Sequence, residues 1–257
     1  DDMKVPDGSK DDPLPSLWTP ANREKYMKYF LSSCLMEKDR WPFLFAWSEA
    51  VQDKRTSLEG EFSSELAYLA VIRNDVGRAD SYIRQAFRHF LGSWSVLPPS
   101  MATAAQLKLL QTLQPLLELE EYLNFATNAK NAESIDPMNQ ILHLWRHRYP
   151  EKKRDDFEVW DRVGKQRAQF FNLIATFYIE HQQNQKAAKR SQPITSASQP
   201  EQPAVDVNAM KRTLKNDRDN VFINMAIAAR KQSRLTTSDR ILAGVEAKLP
   251  PGRPISF

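Results

Sequence analysis

The amino-acid sequence predicts an all-α fold: a solenoid of antiparallel helix pairs interrupted by one disordered insertion. Three observations carry that prediction. The 257 residues include only seven glycines, too few for the turns of a β-sandwich or the phosphate loops of a doubly wound sheet. The long apolar runs favour Leu, Ala and Phe over Val, Ile and Thr, a balance that suits helices better than pleated strands. Apolar positions recur at spacings of three and four in several consecutive blocks, the period of a helix with one buried face. At 41% hydrophobic content the chain can bury one or two real cores.

Residues 1–17 are polar and Pro-rich and form an N-terminal linker. The helical repeat is predicted over 18–183. It opens on "TPANREKYMKYFLSSCLM", with Thr19 as N-cap and Pro20 at the first helical position, where a missing N–H costs nothing. "WPFLFAWSEAV" is a short, strongly apolar helix. Leu58, Phe62, Leu66, Leu69 and Ile72 then recur at spacings of 4, 4, 3 and 3. After an Asn74-Asp75-Val76-Gly77 turn, Val76, Ala79, Ile83, Phe87, Phe90 and Trp94 recur at 3, 4, 4, 3 and 4. Two amphipathic helices on a short turn fold back as a hairpin, each burying its stripe on the other. This is the grammar of tetratricopeptide and HEAT-like solenoids, although no strict 34-residue period repeats.

"AAQLKLLQTLQPLLELEEYLNFATN" is Leu-rich on more than one side, so it is expected between neighbours, with a kink at Pro115. Asp136-Pro137 is expected to cap "MNQILHLWRHRY". Asp155 and Glu158 suggest a capping box for a long helix carrying Val159, Val163, Phe170, Ile174 and Phe177. Residues 184–205 lose apolar periodicity and combine Gln, Ser, Lys and Pro, a composition that cannot offset its ordering entropy. They form the predicted insertion. A closing hairpin spans 206–249: a helix through Leu214, Val221 and Met225, a turn over 232–237, and a return through Ile241, Val245 and Leu249. Residues 250–257 are a C-terminal linker. The opening Asp1-Asp2 and the closing "PPGRPISF" suggest a piece of a longer protein.

Charge and chemistry narrow the function. The 36 basic residues are interleaved with 32 acidic ones, an ordinary solvated surface rather than a nucleic-acid glove. Cys34 alone cannot build a disulfide framework and suits a reducing compartment. No stretch approaches the roughly 20 apolar residues that span a bilayer, and no signal peptide opens the chain. His143 and His147 stand at i and i+4, but Leu144 replaces the Glu of the zinc-protease pattern, so the sequence favours a packed His143 and an exposed His147. Asp156-Phe157-Glu158 is a near miss to the magnesium motif of kinases and reads as a helix cap. The glycines are too dispersed for a G-x-G loop. Cys34 has no neighbouring His and reads as a buried thiol rather than a nucleophile. "LWRHRYPEKKRDDFEVWDRVGKQR" mixes cations with Trp and Tyr, the material of a nucleic-acid surface. Its interleaved Glu151, Asp155, Asp156, Glu158 and Asp161 would repel phosphates and favour a solvated interhelical corner. The tryptophans are expected to fill interfaces between helices.

Three segments appear in a recognisable order: "ELAYLAVIRNDVGRADSYIRQAFRHFL", "LKLLQTLQPLLELEEYLNFATN" and "ILHLWRHRYPEKKRDDFEVWDRVGKQRAQFFNLI". Together they resemble the FAT region of the phosphatidylinositol-kinase-related protein kinases. The resemblance runs from about Leu17 through Ile174 and resumes at "AMKRTLKNDRDNVFINMAIAARKQSRLTTSDRILAGVEAKL". It implies a nuclear serine/threonine kinase as parent, recruited to DNA double-strand breaks by the Ku heterodimer in non-homologous end joining. The segment itself would be a non-catalytic scaffold, with no cofactor and no metal of its own. It would clamp a kinase domain that uses ATP and magnesium and pack on the N-terminal helical arm of the same chain. Direct contact with nucleic acid or membrane is not expected. The insertion departs from the family's acidic character through Lys186, Lys189 and Arg190. The family's preference for Ser or Thr before Gln makes Ser191 and Ser198 candidate phosphorylation sites. The hairpins alone also fit a free-standing α-solenoid adaptor for protein interactions.

Overall fold

The computed structural model describes residues 42–44, 46–47, 62–97, 102–129, 134–191 and 206–247. Every regular element among the described residues is a helix: α1 (Ser63–Ile72), α2 (Val76–Val96), α3 (Ala102–Asn128), α4 (Asp136–Arg146), α5 (Phe157–Ser191), α6 (Val207–Lys231) and α7 (Leu235–Glu246). Residues 42–44 and 46–47 are helical as well, and the Trp47 ring meets Phe62 edge-on at 5.5 Å. The predicted helix that begins at Thr19, together with Cys34 and Leu58, lies outside the described residues.

The first predicted hairpin is present, with α1 packed on α2. Asn74 turns the chain with φ 58°, a left-handed conformation that its short polar side chain tolerates. Asp75 then caps α2 by accepting the Arg78 N–H at 3.1 Å. Leu66, Leu69, Ala79 and Ile83 are buried as expected, whereas Val76 and Trp94 are 38% and 37% exposed. Val76 sits at the turn. Trp94 is open because α2 has 21 residues and α1 only 10, so the far half of α2 outruns its partner.

α3 runs unbroken through Pro115 and packs on α2, α4 and α5. Its expected interior position holds for the second half, where Leu116, Leu119, Tyr122, Leu123 and Phe125 are buried. In the first half Leu107 and Leu110 face outward. The start of α4 differs from expectation by one residue. Asp136 and Pro137 are already helical and the cap position falls on Ile135, which offers no side-chain bond. Ser134 does the capping instead: its Oγ accepts the Asp136 N–H at 3.0 Å and donates to the Asp136 carboxylate at 2.6 Å.

α5 is the spine, 35 residues and about 52 Å long at 1.5 Å per residue. It packs on α3 on one side and α6 on the other. It continues to Ser191, eight residues past the predicted end of the helical repeat at 183. The added stretch is Asn-Gln-Lys-Ala-Ala-Lys-Arg-Ser, mostly strong helix formers. These extend an existing helix cheaply even with no apolar face to bury. Residues 192–205, the remainder of the predicted insertion, lie outside the described residues. α6 and α7 form the closing hairpin around Ser233, whose φ is 60°. Leu214, Val221, Met225 and Val245 are buried and Ile241 packs against the core, while Leu249 lies outside the described residues.

One glycine sets the distance between α5 and α6. A Cβ on Gly164 would lie 2.1 Å from Met225 Sδ and 3.2 Å from Val221 Cγ1. Both neighbours are fully buried and cannot retreat without cost. Gly164→Ala gains up to about 1 kcal/mol of helix propensity against about 1–3 kcal/mol of overpacking. The expected net effect is a lower urea midpoint with an unchanged slope, and Gly164→Leu should lower it much further.

Candidate functional site

The stretch read as a solvated interhelical corner, residues 145–167, keeps exposed charges such as Glu151, Lys153, Arg154 and Glu158 on its outside, but it encloses a densely bonded interior that the sequence did not announce. Arg167 on α5 and Glu118 on α3 are 1% and 0% exposed. Arg167 Nε donates to both carboxylate oxygens at 3.2 and 3.1 Å, and Nη2 donates to Oε1 at 2.7 Å. Two further guanidinium protons, from Nη1 and Nη2, go to the carbonyls of Trp145 at 2.8 Å and Arg148 at 2.9 Å. The cation also lies over the Tyr149 ring, 4.9 Å from its centroid. Gln114 donates to Glu118 at 3.1 Å and to the Arg148 carbonyl at 2.6 Å. Gln166, also buried, donates to the Pro115 carbonyl at 2.8 Å. Burial raises the Glu118 pKa, while the Arg167 charge and its hydrogen bonds draw it back down. With three donor atoms converging on it, Arg167 Nε and Nη2 and Gln114 Nε2, the carboxylate is one half of a tightly bonded charge pair.

A second layer surrounds this pair. Glu121 accepts the Trp145 indole N–H at 2.8 Å and forms an ion pair with Arg148. Arg146, at the end of α4, grips Asp217 on α6 through two bonds of 2.8 and 2.6 Å. Their hydrogen bonding holds the guanidinium above its ordinary pKa. Tyr149 stacks on Trp160 at 5.8 Å and 11°, beside the buried Pro150. Trp145 and Trp160 are each 1% exposed, as expected of interface tryptophans.

The start of α5 corrects another expectation. Asp155 does not pair with Glu158 in a capping box. Its carboxylate accepts the Glu151 N–H at 2.6 Å and the Gln111 side-chain N–H at 2.9 Å. The Phe157 N–H is satisfied from another hairpin: Gln232 Oε1, in the α6–α7 turn, accepts it at 2.9 Å. The same side chain donates to the carbonyls of Asp155 at 2.8 Å and Lys152 at 3.4 Å. Arg234 lays its guanidinium over the Phe157 ring at 5.4 Å. Asp156 thus precedes a helix start, in keeping with the cap reading of Asp-Phe-Glu. Gln232→Ala should cost about 1–2 kcal/mol, the range for a lost cap plus its companion bonds. Hydrogen exchange should rise at Phe157 while the α1–α2 hairpin stays protected.

The corner therefore holds α3, α4, α5 and α6 in one register, and that is what its chemistry can do. Lys153 and Arg154 stay exposed, whereas most of the corner's other cations are engaged. Arg146, Arg148, Lys165 and Arg167 are already paired with Asp217, Glu121, Asp161 and Glu118. The rings that would stack on bases are packed inside.

His143 is exposed rather than packed, because α4 buries Met138, Ile141, Leu142 and Trp145 on the opposite side. Its ring lies 4.3 Å from that of His147, whose Nδ1–H donates to the His143 carbonyl at 2.8 Å. This is a helix C-cap. Among the described residues no group of three or more His, Cys, Asp or Glu side chains is placed to hold a metal ion. Ser191 is the last residue of α5 and Ser198 lies outside the described residues. Glu118, Arg167, Asp217 and Gln232 escaped sequence reasoning, although Arg167 left a signal. It falls in the apolar stripe Val163–Phe170–Ile174, where a solvated cation has no place.

Comparison with known sequences places this arrangement. The FAT domain profile matches residues 23–254, nearly the whole chain. The chain belongs to the FAT domain family. Curated relatives include the DNA-dependent protein kinase catalytic subunit of Gallus gallus, 27% identical over 254 residues, covering 94% of this chain and 6% of that protein. The subunit of the same name from Mus musculus is 25% identical, covering 89% of this chain and 6% of that protein. The Dictyostelium discoideum subunit is 33% identical over 54% of this chain and 3% of its own length. The FAT segment therefore spans about one-sixteenth of its vertebrate relatives. The all-helical FAT fold agrees with the sequence prediction, and the FAT match occupies the span in place of a kinase domain. No helix among the described residues is long and apolar enough to cross a membrane.

Proposed function

We propose that the chain is a non-catalytic scaffold segment of a DNA-dependent-protein-kinase-like catalytic subunit. It clamps a kinase domain borne by the same polypeptide. It also relays movement from an arm engaged with Ku and DNA ends during non-homologous end joining. The observation that carries this reading is the FAT match over residues 23–254, with relatives named as that subunit. The interlocked corner supports it physically. A clamp must transmit force without melting, and a corner saturated with bonds across four helices moves as one body. On this reading ATP and magnesium belong to the kinase domain, the segment binds no cofactor, and its compartment is the nucleus.

The test pairs two measurements. The chain co-expressed with the kinase-bearing region of its own gene should co-purify with it, while the chain alone should turn over no ATP. A reading frame without a kinase domain, or ATP turnover by the isolated chain, overturns the reading.

Ser191 and Ser198, each followed by Gln, are proposed as sites the parent kinase phosphorylates. A phosphate adds about −1.5 to −2 charge. At Ser191 it would fall at the C-terminal end of α5, where the helix dipole disfavours negative charge, and should fray the last turn. Mass spectrometry of the active parent that finds both serines unmodified removes the proposal.

A further inference from the structure

The α2–α3 hairpin carries, among the described residues, an exposed apolar surface at its far end. Leu91, Trp94 and Val96 on the last turns of α2 are 62%, 37% and 80% exposed. Leu107 and Leu110, in the first three turns of α3, are each 46% exposed. α2 ends at Val96, α3 begins at Ala102 and the two helices pack on each other, so both groups lie at the same end of the pair. Exposed apolar residues scattered singly are ordinary, but five large ones gathered at one hairpin end are not.

Two independent observations describe what fits there. The first is shape. Trp94 continues the stripe of Ala79, Ile83, Phe87 and Phe90 that α1 covers nearer the turn. Because α2 is 21 residues long and α1 is 10, α2 extends about 16 Å beyond α1 at 1.5 Å per residue, three turns of a helix. The second is charge. From Ser81 through Leu117 the sequence contains no Asp or Glu, although acids make up 32 of the 257 residues. The same stretch carries Arg84, Arg88, His89 and Lys108. Arg84 is tied to Asp80 at 2.8 Å, while Arg88 and Lys108 are exposed, each within a turn of Leu91 or Leu107.

We propose that this end of the hairpin is a docking surface for an acidic amphipathic helix of a partner segment. The helix lies along α2 past the N-terminus of α1, with its apolar stripe on Leu91, Trp94, Leu107 and Leu110 and its carboxylates toward Arg88 and Lys108. This is helix-in-groove recognition with the sign of the rim selecting the partner. It stands whichever parent the chain belongs to.

The experiment uses the full chain and two labelled synthetic helices of 18 residues, one of Leu and Glu and one of Leu and Lys. Fluorescence anisotropy should show binding of the Leu/Glu helix, weakened at least tenfold by Leu91→Ser with Leu107→Ser. Arg88→Glu with Lys108→Glu should reverse the preference toward the Leu/Lys helix. Circular dichroism of these surface variants should match the parent chain. No binding, equal binding of both helices, or binding untouched by the variants overturns the proposal. Two further outcomes reassign the surface and likewise overturn it. One is self-association in sedimentation that the Leu→Ser pair abolishes, which would make the occupant a second copy. The other is patch-dependent binding to phosphatidylserine vesicles with no binding of the Leu/Glu helix.

Discussion

Arg167→Met is expected to lower the stability of the chain by about 3–5 kcal/mol, the cost of stranding one charge of a buried pair. The size follows from geometry. Glu118 is 0% exposed, so removing the guanidinium leaves its carboxylate without a counter-charge and the carbonyls of Trp145 and Arg148 without their donors. Against a typical total of about 5–15 kcal/mol, the loss should appear as a large drop in urea midpoint. Removing both charges, Arg167→Met with Glu118→Leu, should recover most of it, because well-packed apolar groups replace a buried pair at little net cost. About 1–2 kcal/mol should remain for the two deserted carbonyls.

The same variant carries a pH signature. With Arg167 gone, burial and the neighbouring Glu121 charge are opposed only by the Gln114 hydrogen bond, and they push the folded pKa of Glu118 further above the unfolded value of about 4.3. A carboxyl with a raised folded pKa holds its proton more tightly in the folded state. The variant therefore gains stability as pH falls through that raised value toward the unfolded one. Its deficit relative to the parent chain should narrow between pH 8 and pH 5. A deficit that stays constant or widens on acidification would contradict a buried, unpaired carboxyl at 118.

Phe170→Ala is expected to cost about 3–5 kcal/mol through the cavity it leaves. Phe170 is 0% exposed and meets a ring from each of three other helices. It stacks on Tyr122 of α3 at 4.6 Å and 10°, lies 5.6 Å from Trp145 of α4, and lies 6.0 Å from Tyr68 of α1. No neighbour can collapse into the gap without abandoning its own contacts. Phe170→Leu, which keeps most of the volume, should cost less than half as much. Equal losses for the two variants in urea titration would show that the site relaxes freely and that the rings do not pack as a unit.

The sequence made the helices legible because amphipathic periodicity depends only on neighbours three and four positions apart. Leu66 with Leu69, Ile83 with Phe87, and Val221 with Met225 announce their faces locally. The caps were harder. Asp155 and Glu158 have the right spacing for a box, yet Gln111, 44 positions upstream, engages Asp155, and Gln232, 75 positions downstream, accepts the Phe157 N–H. Local spacing cannot reveal a competitor supplied by another hairpin. The ion pair at the corner was hidden for a similar reason. Arg167 follows twelve other charges from Arg146 to Lys165, and nothing local says which one folds inward. Two gaps in apolar stripes were the available clue: Arg167 between Val163 and Phe170, and Glu118 between Pro115 and Tyr122. Two opposite charges breaking two buried stripes are candidates for each other. The α5 end was misplaced because Gln, Lys and Ala continue a helix without contributing to any stripe.

The reach of Gln232 also sets an order in time. The first amide of α5 finds its acceptor 75 residues later in the chain. At a synthesis rate of about 5–20 residues per second, the ribosome needs about 4–15 s after making Phe157 to deliver that glutamine. Throughout that interval the nascent spine has an open first turn, with the Phe157 N–H lacking its Gln232 acceptor and Gly164 lacking the Val221 and Met225 side chains that pack on it. The final helices thus act as a completion signal for the segment, and a ribosome stalled before Gln232 would present chaperones with an unfinished corner.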